Sequence, residues 1–408
     1  MKAVTLDPRL WSSLDSFEGV PDYFEPRPAK AARHPAWVAA HDLLAWVGTV
    51  LPGIGLAVAL AFGGQVLADW TGTRVLHFAK SPLSPIMVAV VLGLLIRNTV
   101  GVPAVYEQGL RLCIRTVLRL GIVLLGLQLS VLAVGQLGVM GLPVILCCIA
   151  TALLAVTWVN RLLGLPKRLG TLIAVGTSIC GVSAIAATAP VIDAEDDETS
   201  YAIGCITLFG LLALFTYPFI AHALFHANPA YAGIFLGTAI HDTSQVAGAG
   251  LMYQQQYAAP DAMKAALVVK LVRNLCMSVL IPLMAVLYRR GERADKAKVR
   301  QKWHQVVPLF VVGFVAMACV RSLVDAKVGP FQHVHAEGWK HLLDQAQTTA
   351  TWFLATAMAA VGLGTGLAKL RGLGYKPLSV GFAAAVLVGG VSVLLIKVLG
   401  SIKAWHPG

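Results

Sequence analysis

The chain has 408 residues, of which 57% are hydrophobic and 13% are charged, and its mean hydropathy is +0.73. This composition excludes a soluble globular protein, because too few polar residues remain to cover a surface exposed to water. The formal net charge of +12 is typical of a membrane protein with basic cytoplasmic loops. Membrane lipid is therefore the expected environment, and no nucleic-acid partner is indicated.

Apolar stretches of roughly 20 residues, the length at which an α-helix crosses about 30 Å of hydrocarbon, recur along the chain. They are continuously apolar, which favours helices over the alternating strands of a membrane barrel. The sequence predicts an all-α integral membrane protein with about eleven transmembrane helices. The predicted helices lie at 43–69, 83–97, 109–134, 141–163, 169–192, 200–224, 229–250, 262–288, 305–324, 345–368 and 377–401.

The distribution of Lys and Arg predicts the orientation of the chain. Basic clusters follow the fourth, eighth and tenth stretches, at 161–168, 289–302 and 369–376, which share one side if every stretch crosses the membrane. By the positive-inside rule that side is cytoplasmic. We expect a multi-pass protein of the bacterial inner membrane with a cytoplasmic N-terminus and a periplasmic C-terminus. The acidic run at 193–198 is then expected outside.

Two internal matches compete as signs of a repeat. SPIMVAVVLGLLIRNT at 84–99 aligns with NPAYAGIFLGTAIHDT at 228–243, and GTSICGVSAIAATA at 176–189 aligns with GTAIHDTSQVAGAG at 237–250. If every stretch crosses the membrane, only the first match joins stretches of opposite direction, as an inverted repeat requires. The predicted domains are a cytoplasmic extension at 1–42, an extra transmembrane helix at 43–70, and two inverted five-helix repeats at 83–226 and 227–402.

This pairing makes the stretches at 169–192 and 345–368 equivalent. The first contains Gly176, Gly181 and Pro190 among small and hydroxyl residues, and the second contains GLGTG at 362–366. Both are predicted to be broken helices. Where a helix breaks inside a membrane, its free backbone groups and dipole ends form a site for a polar solute.

The motifs GTSICGVSAIAATAPVI at 176–192, GTAIHDTSQVAGAG from 237 and KLVRN at 270–274 resemble the YeiH family of bacterial inner-membrane proteins. The resemblance extends over roughly 43–400. It implies a fold similar to that of sodium/bile acid symporters, with ten core helices, inverted repeats and two crossed broken helices. Because members of the family carry the label of sulfate exporters, it also implies sulfate, sulfite or an organosulfonate as the substrate.

Polar and small residues at the predicted breaks are the candidate substrate-binding residues, because a polar group at bilayer depth is costly and usually faces a cavity. Hydroxyls and free N–H groups at a half-helix N-terminus suit an oxyanion. Close helix packing or a hydrated rim are the alternative explanations. The candidates are Thr177, Ser178, Cys180, Gly181, Ser183, His241, Asp242, Thr243, Ser244, Gln245, Gly364 and Thr365.

A second set of residues is expected to couple ions or to pair charges. Lys270, Arg273 and Asn274 share one helical face by their spacing, where they would pair with Asp242, attract an anion or form a structural ion pair. The repeat alignment places two further residues at a corresponding break in the other half. The complete set is Asp242, Lys270, Arg273, Asn274, Arg97 and Asn98.

These features favour a secondary transporter that exports a small anion by alternating access, with H⁺ or Na⁺ as the coupling ion. No GxxxxGK[ST] phosphate-binding motif occurs in the chain, and no cofactor or metal is implied. The alternatives are a channel, a ligand-sensing membrane protein and, with less support, an intramembrane enzyme. The helix at 43–70 lies outside the repeats and is the candidate surface for a homodimer.

Overall fold

The computed structural model describes residues 36–71, 74, 84–289, 309–326, 336–366 and 374–401. Within these residues the predicted all-α fold is confirmed, and no strand occurs. The helices are α1 (Ala36–Trp70), α2 (Pro85–Thr99), α3 (107–128), α4 (Val131–Leu162), α5 (Lys167–Ser178), α6 (Val182–Thr188), α7 (Asp196–Phe225), α8 (Pro229–Ala239), α9 (Thr243–Tyr257), α10 (Pro260–Leu275), α11 (Met277–Arg289), α12 (Leu309–Asp325), α13 (Ala336–Gly364) and α14 (Tyr375–Gly400).

Five of the described helical segments are long and apolar enough to cross a membrane. They are Leu44–Trp70, Val131–Leu162, Asp196–Phe225, Pro260–Met284 and Tyr375–Gly400. Helix α1 begins at Ala36, and its segment that is long and apolar enough to cross a membrane begins at Leu44. The rest of the predicted extension, residues 1–35, lies outside the described residues. Most of the basic clusters at 289–302 and 369–376 also lies outside them.

Helix α7 defines two faces of the bundle. Face A is the end at which α7 begins, at Asp196, and face B is the end at which it finishes, at Phe225. After a short turn, α8 runs back along α7, so that the ring of Phe235 lies 5.2 Å from the ring of Tyr217. Helix α8 therefore enters the bundle from face B.

Helix α9 then returns to the face from which α8 came. Its first turn places Gln245 beside Thr207, in the middle of α7, with 3.5 Å between the amide nitrogen and the backbone carbonyl. Its end places the ring of Tyr257 on that of His222, stacked at 3.6 Å near face B. Residues 229–257 thus form a re-entrant hairpin rather than a crossing helix, and we call it the second hairpin.

The first hairpin comprises α5, α6 and the 3-10 turn Ala189–Val191. A Cβ built on Gly176 would lie 2.8 Å from the side chain of Ile185, so the chain folds back on itself between these residues. The 3-10 turn leads to the start of α7 at face A. The first hairpin therefore enters from face A, opposite to the second.

Two expectations are corrected by this geometry. The acidic run at 193–198 lies on the same face as Lys167, because the stretch between them returns instead of crossing. A second broken element within the described residues is 229–257, and the two broken elements are hairpins rather than crossed helices. Helix α13 ends at Gly364, within the predicted break at 362–366, and residues 367–373 lie outside the described residues.

The hairpins also remove the reason for excluding the second of the two internal matches. The rejected match of 176–189 with 237–250 aligns Ser178 with Ala239, the last residues of α5 and α8. It likewise aligns Val182 with Thr243, the first residues of α6 and α9. Direction excluded this match only under the assumption that both stretches cross. Because the hairpins enter from opposite faces, their half-helices run in opposite directions.

Helices α1, α2 and α13 pack beside the second hairpin. The end of α1 meets the start of α2, where a Cβ built on Gly64 would lie 2.8 Å from the carbonyl oxygen of Pro85. The hydroxyl of Ser84 donates to the side-chain oxygen of Gln255 at 2.9 Å, which places this corner at face B. Helix α1 therefore begins at face A.

Close helix packing holds α1 against α3. A Cβ built on Gly53 would lie 2.7 Å from the Cα atom of Gly109, so the two backbones are in direct contact there. At the other end of the chain, Gly400 of α14 lies next to the ring of Tyr231, at the start of α8. Helix α14 therefore ends at face B.

Candidate functional site

The tips of the two hairpins meet inside the bundle. Tip 1 is 179–181 and tip 2 is 240–242, the residues between the half-helices. At tip 1 the chain reverses through Gly181, whose φ is +70° and ψ is −124°. A Cβ on this glycine would lie 2.9 Å from the carboxylate oxygen Oδ2 of Asp242 in tip 2. The contact between the tips therefore requires glycine at this position.

Each tip follows the C-terminus of a half-helix, where backbone carbonyls lack partners within the helix. Lys270 of α10 supplies donors to both tips. Its ammonium lies 2.8 Å from the carbonyl oxygen of Ile179 and 3.2 Å from that of Ile240, and it also donates to the carbonyl of His241. The side chain is fully buried. One cation thus links both tips.

Arg273, one turn further along α10, makes the second link. Its Nε donates to the carbonyl of Ser178 at 2.6 Å and its Nη1 to that of Thr238 at 2.7 Å and that of Ile240 at 3.0 Å. Its Nη2 donates to the carbonyl of Thr177. Within the described part of the chain, no carboxylate pairs with this buried guanidinium. Its charge instead faces the negative dipole ends of α5 and α8.

Asp242 is the N-cap of α9. Its Oδ1 accepts from the backbone N–H and from the hydroxyl of Ser244, both at 2.9 Å. Asn274 of α10 donates to the hydroxyl of Thr243 at 3.2 Å, which ties the same helix start to α10. Of the alternatives for Arg273, a pairing with Asp242 does not occur, because the carboxylate caps α9 and the guanidinium donates to backbone carbonyls.

A small cavity lies beside tip 2. It has a volume of about 20 Å³. Its polar lining comes from tip 2, from the start of α9, from α7 and from the residue after α13, and its apolar lining from α3, α6, α7 and α13. The lining residues are Ile114, Val182, Ile206, Thr207, Leu211, Asp242, Ser244, Gln245, Val361, Gly364 and Thr365.

Several buried polar atoms near the tips have no hydrogen-bond partner among the described residues. They include both ring nitrogens of His241 and the hydroxyl of Thr177. The hydroxyl of Thr207 and the Oε1 atom of Gln245 share this property and line the small cavity. Unpartnered polar groups in a core are costly, so their concentration near the tips makes this region the candidate binding site.

The other predicted site residues fall into two groups. Cys180 is buried against Met277, with 3.9 Å between the sulfur atoms, and Ser183 is half-buried in α6. The hydroxyl of Ser178 bonds back to the carbonyl of Ala174 at 2.5 Å. These residues shape tip 1 but do not line the cavity.

Arg97 and Asn98 lie away from both tips, because α2 continues unbroken to Thr99. Asn98 is exposed and donates to the backbone carbonyl of Thr365 at 3.1 Å, next to the residues that line the cavity. The expectation of a break at these positions is therefore wrong. Thr207 is the polar lining residue that the sequence analysis did not predict. In the sequence it is distinguished only as a hydroxyl residue within an apolar stretch.

The fold and the site together define a class: polytopic membrane proteins in which two opposed re-entrant hairpins bring polar groups to the middle of the bundle. Comparison with known proteins then gives the family. The family described as "Conserved hypothetical protein 698" matches residues 53–381, and the chain belongs to it.

Similar proteins carry consistent names. A UPF0324 inner membrane protein YeiH of Salmonella typhi is 31% identical over 83% of this chain and 92% of its own length. UPF0324 membrane proteins of Fusobacterium nucleatum and Corynebacterium glutamicum are 30% and 34% identical, over 86% and 78% of this chain and 98% and 86% of their own lengths. The resemblance to the YeiH family is thus confirmed, and the chain is a membrane protein. No solved structure matches it.

Proposed function

We propose that the protein is a secondary transporter, and not an enzyme, that exports a small anion such as sulfate, sulfite or a sulfonate by alternating access. The observation that carries the proposal is the meeting of two re-entrant hairpins from opposite faces, with unpartnered polar atoms buried at their tips. Half-helix ends inside a membrane protein are characteristic of transporter binding sites. Coupling to H⁺ or Na⁺ supplies the energy.

The charges at the tips support an anion as the solute. Lys270 and Arg273 contribute two buried positive charges, and Asp242 contributes one carboxylate, so the formal sum is 2 − 1 = +1. The two cations are bonded to backbone carbonyls and act through their field rather than by direct contact. Direct donors to an anion come from the ring of His241 and the hydroxyl of Thr177, which have no other partner among the described residues.

The positive-inside rule makes face A cytoplasmic. The basic residues at 161–168 lie there, next to the start of the first hairpin. Helix α1 begins at face A and α14 ends at face B, so the N-terminus is cytoplasmic and the C-terminus periplasmic. The halves of the inverted repeat are then centred on the two hairpins, one open to each side of the inner membrane.

Transport by purified protein in proteoliposomes tests this proposal. Labelled sulfate, sulfite and small sulfonates are offered under imposed pH and sodium gradients. We expect one of them to accumulate against its own gradient, and accumulation to fall at least about tenfold in His241→Asn, the loss of one good hydrogen bond to a charged ligand. His226→Asn, at an exposed histidine near face B, is the matched control.

Two results would overturn the proposal. If a solute equilibrates but never accumulates under any gradient, the protein is a channel. If none of the solutes moves although the protein is folded and monodisperse, the anion proposal is refuted. An equal loss of transport in His241→Asn and His226→Asn would show that the anion does not bind at the tips.

A further inference from the structure

The small cavity beside tip 2 has the wrong size for the anion. At about 20 Å³ it holds one water molecule or one small ion. A tetrahedral oxyanion, with four oxygens around its central atom, does not fit. The rest of the cavity lining is apolar and includes Ile114, Val182 and Leu211.

The polar lining of the cavity consists of oxygen atoms. Gln245 and Thr207 are 4% and 6% exposed, and the Oε1 atom of the first and the hydroxyl of the second have no partner among the described residues. Asp242, 5% exposed, uses Oδ1 to cap α9, and its second oxygen is turned towards Gly181. A carboxylate, an amide oxygen and a hydroxyl therefore converge from two different elements.

The charge of the lining has one sign. Among the described residues, neither Lys, Arg nor His lines the cavity, and Asp242 supplies its one charged group. Lys270 and Arg273 direct their donors to the carbonyls of the tips instead. A buried carboxylate next to unpartnered oxygens favours a bound cation, because an isolated buried charge is costly.

We propose that this cavity binds a sodium ion, held by Asp242, Gln245 and Thr207. Hard cations prefer oxygen ligands of these types. A proton on Asp242 would neutralise the carboxylate but would supply only one donor for the Oε1 of Gln245 and the hydroxyl of Thr207, which do not bond to each other. A sodium ion satisfies all three. The inference rests on the proposed transport function only where it identifies this sodium ion as the coupling ion.

The position of the site links ion binding to the shape of tip 2. Asp242 both lines the cavity and caps the first turn of α9, and Thr207 belongs to α7, which runs between the two faces. An ion between them holds tip 2 against α7. Loss of the ion leaves a carboxylate and two acceptors facing each other without compensation, which loosens the tip at which the anion binds.

Sodium binding is measured on the full chain in detergent, without any transported solute. Radioactive sodium is bound to the purified protein, and its thermal unfolding is followed in sodium chloride and in choline chloride of equal ionic strength. We expect one ion per chain and a saturable rise in Tm that only sodium chloride produces. Thr207→Val should weaken apparent sodium affinity at least about tenfold, and Asp242→Asn should abolish the Tm rise.

Matched variants separate the site from general effects of substitution. Thr188 is also fully buried with an unpartnered hydroxyl, but it does not line the cavity, so Thr188→Val should keep the sodium affinity of the parent chain. Asp261 is an exposed carboxylate at the start of α10, and Asp261→Asn should likewise keep it.

The outcomes are distinct from those of the transport assay. Absence of sodium binding and of a sodium-specific Tm rise in the parent chain overturns the site, even if an anion is transported. Equal loss of affinity in Thr207→Val and Thr188→Val also overturns it. Sodium binding that depends on Asp242 and Thr207 in a protein that accumulates no anion supports the site and refutes the transport proposal alone.

Discussion

Replacing Arg273 by Lys separates the geometry of this side chain from its charge. The guanidinium donates to the carbonyls of Thr177, Ser178, Thr238 and Ile240, which belong to two hairpins. An ammonium keeps the charge but has three donors at one point, and it cannot reproduce the planar fork. With about two charge-assisted bonds lost at about 1.5–3 kcal/mol each, we expect a cost of about 3–6 kcal/mol.

That cost is comparable to the whole stability of many domains, about 5–15 kcal/mol. Arg273→Lys should therefore show little monodisperse protein in size-exclusion chromatography and a strongly lowered Tm. Arg321→Lys is the control, because Arg321 pairs with Asp325 at the surface and such pairs are worth about 0–1 kcal/mol. Equal Tm values for the two variants would refute the assignment of Arg273 as the link between the tips.

Three further predictions concern the hairpins and the helix contacts. Single cysteines introduced at Lys167 and Asp196 should react with an impermeant maleimide from the same side of the membrane. A cysteine introduced at Asp261 should react from the other side. Labelling of the first two from opposite sides would show that 167–191 crosses the membrane. Gly181→Ala should cost about 1–3 kcal/mol in backbone strain and lower the Tm; an unchanged Tm would contradict the conformation of tip 1. Gly109→Val should lower the Tm by separating α1 from α3, whereas the same change at Gly135, which has open space around it, should not.

The sequence was sufficient to predict a helical membrane protein and two groups of polar residues that meet at the tips. The polar run at 241–245 and the KLVRN motif at 270–274 lie together in the structure because both belong to the tip region. Their prediction rested on one physical rule, that polar groups at bilayer depth need partners. The rule identifies such residues without any knowledge of which helices touch.

The path of the chain at the hairpins was not predictable from length or hydropathy. The first hairpin occupies Lys167 to Val191, about the number of residues that a crossing helix needs. Two half-length helices and one full-length helix therefore have the same apolar signature. The side on which 193–198 lies depends on this distinction. Treating the first hairpin as a crossing helix therefore assigns 193–198 to the wrong face.

Thr207 illustrates a different limit. A single hydroxyl in an apolar helix usually bonds to its own backbone, as Thr216 does with the carbonyl of Leu212 at 2.8 Å. Thr207 has the same residue type in the same helix, yet its hydroxyl has no partner among the described residues. Only the position of tip 2 distinguishes the two threonines, and that position is a tertiary property.

The two cations of α10 also determine which parts of the molecule can move independently. Separating one tip from the other would strip carbonyls in both hairpins of their donors at once, in surroundings where water is scarce. Under the proposed transport mechanism, the hairpins and α10 are therefore expected to move together as one rigid body. Exchange of access between the two faces would then come from sliding of that body along its neighbours, and its energetic cost would arise from helix packing rather than from hydrogen bonds.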